Sequence, residues 1–163
     1  MDLDAKTISK LKNIYISLLD AIMEENIDKV DHFLDDELTS YYRQIIENNK
    51  RKNVFQKYDL LNISNIELIS ETCDEITVSA TIKYIDYQLD KKKNRVVSGD
   101  DSKRLSFFAT LVYRKKQVQD QLVYKCPNCG ANLDFNASGI CPQCNKPIDE
   151  RYSEYVLKSI SFR

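Results

Sequence analysis

Apolar residues in the first 50 positions recur at the spacing of amphipathic helices. Asp4 can cap a first helix, and the apolar positions that follow it step by three and four along one stripe: Ile8, Leu11, Tyr15, Leu18 and Ile22. The same spacing predicts a shorter helix from about Asn26, with Ile27, Val30, Phe33 and Leu34. Asp35 or Asp36 can cap a third helix, whose predicted buried side carries Leu38, Tyr41, Tyr42, Ile45 and Ile46.

From Val54 the apolar period changes to two, which is typical of strands with one buried face. Strands are predicted at 58–70, with an irregularity near Asn65, and then at 76–84, 105–113 and 155–162. The charged segment 90–103, which contains Gly99, is predicted to be a long solvated connection. Helices first and strands afterwards, joined by connections too short for helical crossovers, predict an α+β fold with helices packed on an antiparallel sheet.

The residues that break regular structure are concentrated in one short stretch. The chain has 163 residues, and all three prolines, two of the three glycines and four of the five cysteines lie in residues 126–147. A chain of this length forms one domain with a substantial core. We therefore predict a single α+β domain, residues 1–124 and 148–163, with a small insert at 125–147 before the last strand.

The insert carries two copies of a Cys-x-x-Cys turn, and these are the predicted metal ligands: Cys126, Cys129, Cys141 and Cys144. Residues 130–140 between the two turns are enough for a hairpin that brings the turns together. Four thiolates in this arrangement form the tetrahedral set that Zn²⁺ prefers. The sequence predicts one structural zinc ion in a zinc ribbon, and iron in the same ligand set stays an alternative.

Such a four-thiolate site is closed, since catalytic zinc keeps an open position for water. The hairpin between the turns carries Asp134 and neither Lys nor Arg, which argues against a contact with nucleic acid phosphates. Rigidity or contact with a protein partner is the favoured role of the insert, because about twenty residues fold only when the metal is bound.

Charge excludes a global attraction to nucleic acid, since 24 basic and 25 acidic residues leave a net charge of −1. No apolar run reaches the roughly 20 residues that span a bilayer, so the expected location is cytoplasmic, with peripheral membrane contact as the alternative. Three basic runs, at 50–52, 91–93 and 114–116, would form a patch for anionic lipid if the fold brought them together.

Few side chains suggest catalysis. His32, the single histidine, is interpreted as a surface residue, and Cys73 lies among carboxylates that disfavour a reactive thiolate. Asp86 falls on the inward face when residues are counted by two from Ile76, so it either lines a pocket or reaches solvent at a strand end. Phe108 lies on the opposite, unusually apolar face of its strand, which a second copy of the chain would cover in a homodimer.

Three segments occur in an order that resembles a known family. They are residues 33–38 (FLDDEL) with 42–43 (YR), residues 82–87 (IKYIDY) with 96–100 (VVSGD), and residues 107–114 (FFATLVYR), resumed at 155–160 (YVLKSI). They resemble bacterial members of the domain family named after the mitochondrial import-motor tether, subunit forty-four of the inner-membrane translocase. Residues 126–131 (CPNCGA) and 136–141 (NASGIC) resemble the zinc ribbon that some bacterial members carry before the last strand.

The resemblance covers about residues 26–163 and implies a cone-shaped α+β fold like that of nuclear transport factor two. It also implies binding work at a membrane or in protein translocation. The prediction is a non-enzymatic binding or scaffold module with structural zinc, a protein partner and, as a further expectation, an anionic membrane surface. Two alternatives stay open: an isomerase or hydratase that uses Asp86 with tyrosines such as Tyr84 or Tyr113, and nucleic-acid binding through the ribbon.

Overall fold

A computed structural model of the chain describes residues 3–115 and 155–162. The predicted insert at 125–147, with its four cysteines, lies outside the described residues. Two α-helices and four strands follow one another in the described part: α1 Ala5–Met23, α2 Asp36–Lys52, β1 Val54–Glu71, β2 Glu75–Asp90, β3 Val96–Lys115 and β4 Tyr155–Phe162. The predicted α+β class is confirmed.

The helices begin where the sequence predicts. The Asp4 carboxylate accepts a hydrogen bond of 2.7 Å from the Thr7 backbone N–H, which satisfies an unpaired donor of the first turn of α1. Helix α2 ends at Lys52 and is capped by Asn53, whose φ of 59° is the left-handed conformation that asparagine tolerates. The predicted buried position of Tyr41 is wrong, because its side chain is 60% exposed while Ile46 and Asn49 face the core.

The short helix predicted from Asn26 is instead a pair of 3₁₀ turns, Ile27–Lys29 and Asp31–Phe33. Val30 between them has φ −130°, so the backbone cannot continue as an α-helix. The apolar side chains of this segment are nevertheless buried, as their spacing indicated. Burial follows the apolar pattern even where the backbone is not regular.

The strands form an antiparallel meander in which spatial order equals chain order. Strand β1 begins at Val54, earlier than predicted, and the predicted irregularity is confirmed because Asn65 has φ 53° beside a register shift. The predicted connection at 90–103 is largely wrong. Strands β2 and β3 extend well beyond the core, and only a tight turn at 91–95 joins them. Both faces of β3 at 96–103 are exposed. The segment therefore lacks the alternation of apolar and polar residues that marks a half-buried strand, and its sequence resembles that of a loop.

The core lies between the helices and the inward face of the sheet. Its largest fully buried side chains come from α1 and from the alternating inward positions of the strands: Leu11, Leu18, Ile22, Ile76, Val78, Ile82, Leu111, Tyr113 and Leu157. Strand β4 is joined to the region before α2, because the Asp35 backbone N–H donates to the Leu157 carbonyl at 3.0 Å. The last strand thus connects the sheet to the segment that precedes α2.

Candidate functional site

A bulge of several residues in β3 lies beside a cavity at one end of the sheet. Tyr87 pairs with Gly99 and Ile85 pairs with Arg104, so four residues of β3 stand opposite Asp86 alone. Gly99 makes the bulge feasible, because its φ is +78° and a Cβ there would lie 2.4 Å from the Asp86 carbonyl oxygen. The result is a cavity of about 580 Å³.

The cavity, called the bulge pocket below, is mostly polar. Its walls come from the end of α2, from β1 and β2, and from both sides of the bulge: Lys52, Gln56, Asp86, Tyr87, Gln88, Ser98, Gly99, Asp100, Lys103 and Leu105. Asp86 is half-buried and lines the pocket, which agrees with its predicted inward position and not with the strand-end alternative.

A chain of side-chain amides runs from Asp86 to helix α2. Gln56 donates to the Asp86 carboxylate at 2.6 Å, and Gln88 donates both to the Gln56 amide oxygen and to the Asn49 amide oxygen at 3.2 Å. Because a carboxylate accepts hydrogen bonds, Asp86 sets the orientation of Gln56 and, through it, that of Gln88. The Asn49 side-chain nitrogen ends the chain as a buried donor with no partner among the described residues.

Sequence reasoning did not single out these amides, although a signal was present. Gln56 continues the inward period of β1 between Val54 and Tyr58, and Gln88 continues that of β2 after Asp86. Polar residues at successive inward positions indicate that the core gives way to a pocket at that level of the sheet.

Four aromatic rings, one from each strand, form a row across the sheet. Tyr58, Tyr84, Phe107 and Phe162 follow one another across the sheet, with ring centroids 5.1, 5.4 and 5.7 Å apart. Burial raises the pKa of Tyr58 and of Tyr84, and the charge of the nearby Asp86 carboxylate raises both further. The two tyrosine hydroxyls therefore stay protonated at neutral pH.

Two of the three basic runs meet at the same end of the domain, which we call the basic end: residues 50–52 at the end of α2 and residues 91–93 in the β2–β3 turn. The Lys91 backbone N–H donates to the Asn53 carbonyl at 3.0 Å, which joins the two segments directly. Phe55 lies beside them, 38% exposed, with the Lys91 and Lys57 ammonium groups 5.0 and 5.7 Å from its ring centre.

The third basic run lies elsewhere. Arg114 pairs in the sheet with Glu75 at the opposite end of β2, and its guanidinium lies 3.5 Å from the Asp35 carboxylate. The Lys115 ammonium lies 2.5 Å from the Glu71 carboxylate, so the described part of this run is neutralised by acidic neighbours. The fold therefore brings two of the basic runs together and leaves the third at the opposite end of the sheet.

The remaining candidate residues take no part in the pocket. The His32 ring packs against Phe33 and lies beside the Asp31 carboxylate; its side chain is 25% exposed and its Nε2 atom is buried, so it is half-buried and not the surface residue that was predicted. Cys73 is exposed in the β1–β2 turn, as expected from the sequence. Phe108 is 65% exposed on the outer face of β3, and its cover by a second copy stays a prediction.

Neither a metal site nor a membrane span is found in the part of the chain that the structure describes. Residues 3–115 and 155–162 contain no group of three or more metal-ligating side chains. The four predicted zinc ligands fall outside these ranges, so the zinc site stays a prediction. No described helix combines the length and the apolar character needed to cross a bilayer.

Comparison with known proteins gives a family match and a structural match. The model of the Tim44-like domain family matches residues 4–121. The crystal structure of the intermembrane space region of the chloroplast protein ARC6 superposes with a TM-score of 0.55 at 10% identity, covering 98% of this chain and 96% of that one. At this identity the likeness concerns the fold alone. No curated protein matches the sequence.

Proposed function

Since the chain belongs to the Tim44-like domain family, we propose that it is a non-enzymatic binding module that docks on an anionic membrane surface through its basic end. There it would hold a protein partner, in membrane-associated protein transport. The observation that carries the proposal is the hydrogen-bonded contact between the turn at 91–93 and the end of α2, which concentrates six cationic residues on two adjacent segments.

The local charge of the basic end is only partly neutralised. Lys91 is paired with Glu25 at 2.6 Å, and Lys50 lies 3.7 Å from Glu47. The other four cations have no carboxylate within 4.0 Å among the described residues: Arg51, Lys52, Lys92 and Lys93. Each such residue near an anionic leaflet contributes about 1 kcal/mol, so a local patch can bind lipid although the whole chain carries a net charge of −1.

Apolar side chains beside the cations suit the same surface. Phe55 is 38% exposed between Lys57 and Lys91, and Val97, 52% exposed, follows the turn. Aromatic and aliphatic groups at the edge of a basic patch add apolar burial to electrostatic attraction at the lipid headgroups. Membrane contact is therefore favoured over contact with a nucleic-acid phosphate backbone, which offers no apolar surface to these groups.

Binding is favoured over catalysis at Asp86. Its carboxylate is held by the Gln56 amide, and the single histidine lies away from the pocket, against Phe33. An isomerase or hydratase would need a second acid–base group that exchanges protons with substrate. Within the described residues the pocket's other carboxylate, Asp100, accepts hydrogen bonds from Ser102, and Tyr113, one of the predicted assisting tyrosines, donates its hydroxyl to the Leu11 carbonyl.

The membrane proposal is tested with the full chain and vesicles of phosphatidylcholine, with or without phosphatidylglycerol. We expect binding only to the anionic vesicles, decreasing as salt is added. The triple variant Arg51→Gln, Lys92→Gln, Lys93→Gln should bind about 100-fold more weakly, since three contacts of about 1 kcal/mol are removed.

A matched control removes three positive charges elsewhere. Lys6 and Lys12 lie on the N-terminal half of α1, and Lys115 lies at the end of β3. The variant with all three changed to Gln has the same net charge as the test variant and should bind vesicles like the parent chain. Equal loss in the two variants would mean that total charge, not the basic end, governs binding, and would refute the proposal.

We further propose that Cys126, Cys129, Cys141 and Cys144 bind one zinc ion that folds the insert into a rigid appendage, the contact for the protein partner. Support comes from the paired Cys-x-x-Cys spacing and from the small size of the insert. The Cys126→Ser variant should lose bound zinc, measured by elemental analysis, and should lower the melting temperature. Unchanged zinc content and stability would refute the assignment, while the exposed Cys73→Ser control should change neither.

A further inference from the structure

The bulge pocket has a negative and a positive pole, and of their charged residues only Lys52 also belongs to the basic end. One pole is the half-buried Asp86 carboxylate, which accepts one hydrogen bond from Gln56 and has no cation within 4.0 Å among the described residues. The other pole consists of Lys52 from α2 and Lys103 from the bulge.

The two lysines are not neutralised by the pocket's other acid. The Asp100 carboxylate accepts hydrogen bonds from the Ser102 backbone N–H and hydroxyl at 2.8 and 2.6 Å, and these bonds, more than the neighbouring Lys103, lower its pKa. Asp100 is thus committed to the shape of the bulge. Neither Lys52 nor Lys103 has a carboxylate within 4.0 Å in the described part of the chain.

The amide chain holds the acidic pole in place without neutralising it. Gln56 is 8% exposed and Asn49 is 4% exposed, so the groups that orient Asp86 are themselves fixed by packing. A carboxylate positioned in this way is preorganised to accept hydrogen bonds from an ammonium group. The aromatic rings of Tyr58 and Tyr84 contact each other near Asp86, whose charge acts on both hydroxyls.

We propose that the bulge pocket binds a small zwitterion that carries a primary ammonium group and a phosphate, the chemistry of an aminoethyl phosphate. The ammonium group donates to Asp86, and the phosphate lies against Lys52 and Lys103. A cavity of about 580 Å³ accommodates such a group with room for its attachment to a larger molecule. This ligand differs from the anionic surface that the basic end contacts, and its binding does not depend on membrane docking.

The first experiment titrates free phosphoethanolamine into the full chain, labelled with ¹⁵N, and follows backbone and side-chain amide signals. We expect saturable shifts of Gln56, Gln88 and Gly99. Phosphocholine, whose quaternary ammonium has no N–H donor, should bind at least 10-fold more weakly. Equal responses to both compounds, or no shift at the pocket, would overturn the proposal.

Variants separate the two poles. Asp86→Asn keeps the size of the side chain but removes its charge, and Lys103→Gln removes one cation from the rim. Each should weaken phosphoethanolamine binding at least 10-fold with the spectrum otherwise preserved. The control Glu67→Gln changes one exposed carboxylate on β1, outside the pocket, and should leave binding unchanged. An Asp86→Asn variant that is folded and binds like the parent would overturn the assignment of the acidic pole.

A vesicle arm identifies the source of the ligand. If the natural ligand is a lipid headgroup, phosphatidylethanolamine added to phosphatidylcholine vesicles should increase binding in an Asp86-dependent way. If it is a free metabolite, the soluble compound binds and the vesicles show no such increase. In both cases the Asp86→Asn variant should bind phosphatidylglycerol vesicles like the parent chain. The proposal for the pocket and the proposal of membrane docking through the basic end can therefore fail independently.

Discussion

Removal of one buried hydroxyl should show how α1 is fixed to the sheet. The Tyr113 side chain on β3 is 0% exposed, and its hydroxyl donates to the Leu11 carbonyl on α1 at 2.9 Å. The change Tyr113→Phe keeps the ring and removes only this bond. The Leu11 carbonyl lies in the interior of a helix, so it retains its bond from the following turn and is not left unsatisfied.

The expected cost is therefore that of one neutral hydrogen bond, about 1 kcal/mol in the free energy of unfolding. For a chain of this size that corresponds to a decrease of about 3 °C in melting temperature. The change Tyr113→Ala also removes the ring and leaves a cavity, so it should cost about 4 kcal/mol. Urea unfolding followed by far-ultraviolet circular dichroism measures both values on the full chain.

The exposed Tyr41 provides a control variant for this test. Tyr41 is 60% exposed, so Tyr41→Phe should change the unfolding free energy by less than about 0.5 kcal/mol. If Tyr113→Phe lowered the unfolding free energy as much as Tyr113→Ala, the hydroxyl would contribute far more than one hydrogen bond, which would refute the expected value. If it cost no more than Tyr41→Phe, the bond to Leu11 would contribute nothing to stability.

Three further predictions concern stability. Burial raises the pKa of Tyr42 to about 12, so the folded state holds a proton that the unfolded chain loses near pH 10. Stability should then fall as pH rises from 10 to 12, and Tyr42→Phe should reduce that slope by about 1.4 kcal/mol per pH unit in urea titrations. Gly99→Ala should cost at least about 2 kcal/mol, because its Cβ would meet backbone atoms of β2 at φ +78°; a stable variant would contradict this bulge geometry. Leu157→Ala should cost about 3 kcal/mol by chemical denaturation, against less than about 0.5 kcal/mol for the exposed Lys92→Ala.

Periodicity was sufficient to predict the fold where one face of an element is buried. The stripe through Leu11 and Leu18 gave α1, and the alternation from Ile76 to Tyr84 gave β2. It failed where burial is absent. The segment 96–103 is a strand exposed on both faces, so its charges and Gly99 predicted a loop, and only pairing with β2 reveals its structure.

The candidate site was predictable only in the inward position of Asp86. Counting by two placed Asp86 on the inward face, and the structure confirms it. The pocket itself depends on the bulge between Gly99 and Arg104. The bulge is defined by how β3 pairs with β2, and the sequence of one strand does not reveal that pairing. The meeting of residues 50–52 with 91–93 likewise depends on where α2 ends relative to the β2–β3 turn.

The position of β4 has a consequence for the order of folding. Strands β1 to β3 are joined by tight turns, whereas 39 residues, 116–154, separate β3 from the partner that must return beside it. The entropy lost on closing such a loop grows with the logarithm of its length, by about 0.6 kcal/mol for each doubling. A zinc ion that joined the two cysteine turns would shorten the effective loop and speed the docking of β4. Among the strand pairings of the meander, that of β4 with β3, which buries Leu157 beside the start of α2, therefore carries the largest loop-closure cost.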